Sequence, residues 1–326
     1  MKRVLVTGAT GCVGSNLIRA LLQMNLKVIA FHRTTSNTLN LKGLDVEHRY
    51  GDVRDKESLR QAIRGCDTVF HTAAIVSFWK NRRVEQLEVN VGGSRNVVEV
   101  CLQESVQKLV HTSSIAALGY RTDGELINES TSYNWGSAVG YKYSKHLSEM
   151  EILSGVARGL NAVIVNPTVI IGPGDIYIHG GQLVRDLARR KIPAYSAGGM
   201  NLVSVHDVVT GHIAAAEKGI VGERYILGGK NFTHKDAFKL IANAVEKPAP
   251  FIRAPVMLTK SIARMFDALG AITGKEPWIT SELISGLGGY NWYSIDKAKK
   301  GLGYSPSSLE GVIRETYEWY KKIGKL

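Results

Sequence analysis

Cysteine is scarce in this chain of 326 residues: only Cys12, Cys66 and Cys101 occur, at spacings that suit neither a disulfide framework nor a metal cluster. Long apolar runs are absent as well. No stretch approaches the length of a membrane span, and Met1-Lys-Arg-Val-Leu-Val-Thr7 shows no signal-peptide pattern. We therefore expect a cytoplasmic protein with reduced thiols and no integral membrane segment. The nine histidines form no ligand cluster, so no metal is expected. Neither a Gly-x-Ser-x-Gly elbow nor a P-loop is present. Acidic residues are also in short supply, 29 against 41 lysines and arginines, for a net charge of +12. The basic residues are dispersed and accompany no nucleic-acid motif, so they read as a solvated surface rather than a nucleic-acid site.

What is there is a regular alternation. Short apolar runs at Arg3–Val6, Lys27–Phe31, Val46–Tyr50, Thr68–His71, Lys108–Thr112 and Ala162–Val165 are separated by helical patterns at 12–24, 55–64, 84–103 and 141–157. Continuous apolar strands alternating with helices predict an α/β fold, a Rossmann-type doubly wound parallel sheet. After Pro167 the pattern becomes mixed and turn-rich. Two strands are expected at Leu202–Val205 and Arg224–Leu227, and a capped helix start at Thr233 with Asp236. A final helix from about 308 places Leu309, Val312, Ile313, Thr316 and Tyr320 on one face. The amphipathic stretch 251–270, with Arg253, Lys260 and Arg264, is read as a packed core face in preference to a membrane-resting one. These features divide the chain into a nucleotide-binding domain (1–174 and 198–230) and a smaller, discontinuous α+β substrate domain (175–197 and 231–326).

The first strand runs into Thr7-Gly8-Ala-Thr10-Gly11-Cys12-Val13-Gly14, a glycine turn that opens a helix. Gly8 permits the tight turn, Gly11 lets the backbone approach a pyrophosphate, and Gly14 lets helix and strand pack closely. Gly8, Thr10, Gly11, Cys12, Val13 and Gly14 are thus the candidate phosphate-binding set, one residue removed from the common dinucleotide fingerprint. A helix start can lower a thiol's pKa, yet Cys12 reads first as a small residue filling the turn. No acid precedes Asp45, so the carboxylate with which an NAD site binds the ribose diol is missing. Arg33, at the end of the second strand, instead offers a guanidinium fork suited to a 2′-phosphate. NADP(H) is accordingly expected over NAD(H), with NAD(H) as the alternative. Asp52, followed by Val53, is a candidate acceptor for the adenine amino group or, equally, a turn residue.

Tyr141 and Lys145 are four residues apart on a helix and share a face. An ammonium that close favours the phenolate and is expected to lower the phenol's pKa, preparing Tyr141 to exchange a proton with a carbonyl oxygen. Thr112-Ser113-Ser114 ends the fifth strand, which puts its hydroxyls at the carboxyl edge where open α/β sheets bind ligands.

Together with His71-Thr-Ala73-Ala74, Asn90-Val-Gly-Gly-Ser-Arg-Asn-Val97, Asn166-Pro167-Thr168 and Asp296-Lys-Ala…Leu302-Gly-Tyr, these motifs resemble the extended short-chain dehydrogenase/reductase family. The resemblance runs from residue 1 to about 320. It is nearest the dihydroflavonol 4-reductase-like branch, by Tyr141-Lys-Tyr-Ser-Lys145, the Pro193-Ala-Tyr195 segment and Val205-His-Asp-Val208. The resemblance implies that Tyr141 is the general acid and that Lys145 binds the nicotinamide ribose. Ser114, preferred over Ser113, would hold the substrate oxygen. It also places Pro167 and Thr168 near the nicotinamide, Ala73 and Ala74 near the adenosine ribose, and suggests a homodimer through the helices at 84–103 and 141–157. Asn90 is either part of that machinery or a structural link. The family's dehydratases carry an Asp-Glu pair after the strand-five hydroxyl, where this chain has Ile115-Ala116-Ala117. Phe78, Asn166 and Tyr177 join Ser114 and Tyr141 as candidate substrate contacts. The aromatic walls suggest an apolar or ring-bearing carbonyl or alcohol. The expected activity is an NADP(H)-dependent carbonyl reductase. The alternatives are a sugar-nucleotide epimerase with tightly bound NAD and a non-catalytic NADP(H)-sensing regulator.

Overall fold

The computed structural model describes residues 1–138 and 140–326. Its strands in chain order are β1 (Arg3–Thr7), β2 (Lys27–His32), β3 (Glu47–Tyr50), β4 (Thr68–His71), β5 (Lys108–Thr112) and β6 (Ala162–Pro167). There follow β7 (Val169–Ile171), β8 (Ala194–Tyr195), β9 (Gly199–Ser204), β10 (Arg224–Leu227), β11 (Lys230–Thr233) and β12 (Ile252–Arg253). Seven of them make one parallel sheet in the order β10-β6-β5-β4-β1-β2-β3. Strand order reverses between β1 and β4, which opens a crevice at their carboxyl ends.

The helices are α1 (Cys12–Gln23), α2 (Lys56–Ile63), α3 (Arg83–Gln86), α4 (Gly93–Gln103), α5 (Gly140–Ala157) and α6 (Gln182–Ala188). They continue with α7 (Val205–Lys218), α8 (His234–Ala244), α9 (Val256–Thr273), α10 (Asp296–Leu302) and α11 (Glu310–Lys322). Alternate residues of the strands feed the two faces of the sheet. Val4, Val6, Val163 and Val165 pack with Leu17, Ile18 and Leu21 of α1 and Val208 of α7. Leu5, Ile29, Val69, Leu109 and Ile164 pack on the other side with α2, α4 and α5 through Leu59, Val97, Val98 and Ile152. Covering on both sides is why these strands are almost wholly apolar.

A second layer holds a three-stranded sheet, β11-β9-β7, with α6, α8 and α11 against it. The face expected on the last helix is buried there: Val312, Ile313, Thr316 and Tyr320. This small sheet takes β7 and β9 from segments assigned by sequence to the first domain, while α7 and β10 return to the large sheet. Two expectations need correction. The helical stretch at 84–103 is interrupted by a π-helical segment, Leu87–Gly92. More consequentially, 251–270 does not present a packed core face. It is strand β12 followed by α9, in which only Ala263 and Gly270 are buried.

Candidate active site

The site begins at the reversal point of the sheet. Gly8 has φ +65, and a Cβ there would meet the Ala73 backbone nitrogen at 2.7 Å, so only glycine lets β1 turn beside the end of β4. Gly14 is equally tight, with Gly8 oxygen 2.4 Å from the position of an added Cβ. Gly11 differs: a Cβ would touch only Gly8 oxygen, at 3.3 Å, leaving the outer side of the turn open. Gly11 is the N-cap of α1, and neither a capping side chain nor an acid lies in its first turn. First-turn amides without intrahelical partners, at the positive end of the helix, form a ready anion site. The residues thus fit a pyrophosphate. Thr10 is held from behind, its carbonyl accepting from Asn40 Nδ2 at 3.0 Å. Cys12 Sγ donates to the Pro173 carbonyl at 3.6 Å, and burial, reinforced by Asp175, raises its pKa well above the ordinary range. Burial thus works against activation of this thiol at the helix start.

From this turn the crevice extends along the strand ends. Ala73 N donates to Thr7 Oγ1 at 3.3 Å, and Thr72 Oγ1 donates to the Thr7 carbonyl at 2.7 Å, which fixes the loop containing Ala73 and Ala74. Asn90 lies in the π-helical turn. Its amide bonds both backbone groups of Ile75 (2.8 and 3.0 Å) and Ser144 Oγ (3.0 Å), tying the loop after β4 to α5. Arg33 is exposed at the end of β2. Asp52 is occupied by Arg54, which donates to both carboxylate oxygens at 3.0 and 2.8 Å, and its pKa is lowered chiefly by that pair. Val53 is buried beneath Gly93.

Ser114, Tyr141 and Lys145 meet at the carboxyl end of β5. Ser114 Oγ accepts from Ala116 N at 3.1 Å and caps the short turn Ile115–Ala117. Ser113 is buried, and its hydroxyl has no hydrogen-bond partner among the described residues. Tyr141 is 8% exposed, with Phe78 edge-on at 5.3 Å between ring centroids. Burial pushes its pKa up to about 12, while a hydrogen bond with Ser114 acts in the lowering direction. Lys145 is also buried; its Nζ donates to the Thr112 carbonyl at 2.8 Å. Burial lowers the Lys145 pKa to about 8, opposed by Glu149. The expected lowering of the phenol by Lys145 is not found: loss of water around Tyr141 dominates, only the Ser114 hydrogen bond opposes it, and Lys145 is engaged with the strand. The result is a neutral phenol at the strand edge, able to donate a proton.

Behind this edge lies a buried polar network that sequence reasoning did not anticipate. Asn166 Nδ2 donates to the Ser114 carbonyl at 2.9 Å and to Glu149 Oε1 at 2.6 Å. Glu149, fully buried one turn beyond Lys145, pairs through Oε2 with Arg224 Nε at 2.8 Å. Asn166 thus faces the back of Ser114 rather than the crevice. Thr168 Oγ1 donates to Asn201 Oδ1 at 2.8 Å, next to Pro167 at the end of β6. Tyr177 is 52% exposed and stacks on His179. Glu282 was likewise missed. Its Oε1 accepts from Tyr141 N at 2.7 Å, capping α5 from 141 residues away, and burial raises its pKa. A periodicity in Tyr141–Lys145–Glu149 was the available signal for the first; nothing local signals the second.

Among the described residues no group of His, Cys, Asp and Glu could hold a metal. Among the same residues no helix is long and apolar enough to cross a membrane. Residues 4–228 match the NAD dependent epimerase/dehydratase family. A putative dihydroflavonol 4-reductase from Synechocystis is 34% identical over 325 residues, spanning 98% of this chain and 94% of that protein. Sterol demethylase protein B from Methylococcus capsulatus is 33% identical over 325 residues, 99% of each chain. The crystal structure of gox2253 superposes with a TM-score of 0.86 at 34% identity, covering 100% of both chains.

Proposed function

Because the chain belongs to the NAD-dependent epimerase/dehydratase family, in the extended short-chain dehydrogenase/reductase group, we propose that it is an NADP(H)-dependent carbonyl reductase acting on an apolar or ring-bearing ketone or aldehyde. The observation that carries this reading is a neutral, buried Tyr141 beside Ser114 and Lys145 at the crevice of a doubly wound sheet. When bound, the reduced dinucleotide would supply the hydride. Ser114 would hold the carbonyl oxygen beside the phenol, and Tyr141 would donate its proton to that oxygen. Lys145, cationic below about pH 8, would bind the nicotinamide ribose and stabilise the phenolate left behind. Gly8, Thr10, Gly11, Cys12, Val13 and Gly14 would hold the pyrophosphate, and Ala73, Ala74, Pro167 and Thr168 would flank the cofactor.

NADP(H) is favoured because Arg33 stands exposed at the end of β2, where no acid offers the ribose diol an acceptor. Asp52, the next carboxylate along the edge, is committed to Arg54. Phe78 against Tyr141 supports an apolar substrate, as do the ring systems in the names of the two relatives. Ile115–Ala117, a 3₁₀ turn with no acid, supports reduction over elimination of water. The test is NADPH oxidation against a panel of flavonoid-like, steroid-like and simpler carbonyls, with both cofactors titrated. Arg33→Ala is expected to weaken NADPH binding about tenfold or more and leave NADH binding nearly unchanged. Protein purified with stoichiometric NAD and inert to NADPH would contradict the proposal.

A further inference from the structure

Helix α9 carries its apolar residues outward. Leu258, Ile262, Met265, Leu269 and Ile272 are between 39% and 83% exposed. Their spacing, alternately four and three residues, keeps them on one face for the length of the helix. On the opposite side Ala263 and Gly270 are buried, and a Cβ on Gly270 would meet Pro277 at 2.6 Å. Small residues thus seat the helix against the body, and its large ones are left in water. Phe251 and Met257 continue the apolar surface at the N-terminal end, 86% and 83% exposed. A patch of this kind on a folded chain marks a binding surface.

Charge identifies the occupant. Between residues 247 and 275 there are five basic residues (Lys247, Arg253, Lys260, Arg264 and Lys275) and one acid, Asp267. Asp267 is turned to the protein, accepting from Ser281 N at 3.0 Å. Arg189, Arg190 and Lys191 are exposed just ahead of β8, the strand that pairs with β12. A second copy of the chain fits poorly. The residues beside the stripe, Thr259, Ser261, Phe266, Ala268 and Thr273, offer none of the paired charges that specify a helix–helix seam. An apolar face with exposed Arg253 just ahead of it, Arg264 on its flank and Lys275 at its far end suits an anionic bilayer surface.

We infer that α9 is a peripheral membrane-docking helix that lays its Leu258–Ile272 face into an anionic lipid surface, with Arg253, Arg264 and Lys275 at the headgroups. Docking here is independent of the activity proposed above. It does bear on access to the site, because the segment after α9 runs to the crevice. Glu276 accepts from Ser77 Oγ at 2.6 Å, and Glu282 holds Tyr141 N.

The experiment is co-sedimentation of the full chain with vesicles of phosphatidylcholine alone and of phosphatidylcholine mixed with phosphatidylglycerol, at low and high salt. The parent is expected to pellet with the anionic vesicles and to be released by salt. Ile262→Gln/Leu269→Gln and, separately, Arg253→Glu/Arg264→Glu are each expected to lower the partition coefficient about tenfold or more, with melting temperatures near the parent's because these side chains are exposed. Failure of the parent to bind anionic vesicles would overturn the inference, as would unchanged binding in both variants. So would a parent dimer, seen by sedimentation velocity, that the apolar double variant converts to monomer.

Discussion

Helices α5 and α9 are both eighteen residues long, and each inverts the usual arrangement in its own way. α5 hides polar groups: Tyr141, Ser144, Lys145, Ser148 and Glu149 are all buried. α9 displays apolar ones and buries little beyond Ala263 and Gly270. In α5 the inversion is sustained by hydrogen bonds and an ion pair. Ser144 donates to the Tyr141 carbonyl, Ser148 meets His111, Lys145 meets Thr112, and Glu149 meets Asn166 and Arg224. In α9 nothing among the described residues covers the apolar stripe, and the cover must come from outside. One helix is built to hold protons in place; the other is built to meet a surface. Polar residues inside and apolar residues outside are both more informative than the reverse.

The comparison is broken most forcefully at Lys145. Lys145→Met is expected to lower turnover about a hundredfold or more, read by steady-state kinetics. It should also be more stable than the parent at neutral pH. The folded pKa of about 8 lies below the 10.5 of an unfolded chain. Between those values the unfolded state binds more protons, so the parent's stability rises with pH across that window. The variant's advantage, followed by urea titration, should shrink over the same range.

A smaller effect is expected at Glu149. Glu149→Ala removes the partner of Arg224 and one acceptor of Asn166, and is expected to cost about 3 kcal/mol of stability. Because Glu149 raises the Lys145 pKa, the milder Glu149→Gln should move any alkaline limb of activity to lower pH. An unchanged limb would separate Glu149 from the chemistry. The smallest effect is at the join between the two helices. Glu282, on the segment that follows α9, caps α5, and Glu282→Gln should cost about 1 kcal/mol while lowering turnover more than cofactor affinity. A change in affinity alone would show that the cap serves the fold and not the placing of Tyr141.

The same two helices show what sequence could reveal. The central strands were legible because burial on both faces makes them continuous apolar runs. The glycine turn was legible because Gly8 and Gly14 meet backbone too close for any Cβ. Ser114, Tyr141 and Lys145 were legible as neighbours, but not the direction of the phenol's shift, which depends on how completely Tyr141 is buried. β8 and β12 have two residues each and no periodicity to detect. α10 is short, lysine-rich and buries only Ala298 and Leu302. Glu282 acts across 141 residues, beyond any local pattern. For α9 the pattern was visible and its sense was not, since amphipathicity says that a helix has two faces and not which one looks inward.

The most direct test of the central claim is turnover of Tyr141→Phe measured together with NADPH binding. The account predicts that the variant binds NADPH like the parent and reduces none of the carbonyls the parent accepts. Near-parental reduction by Tyr141→Phe would contradict it.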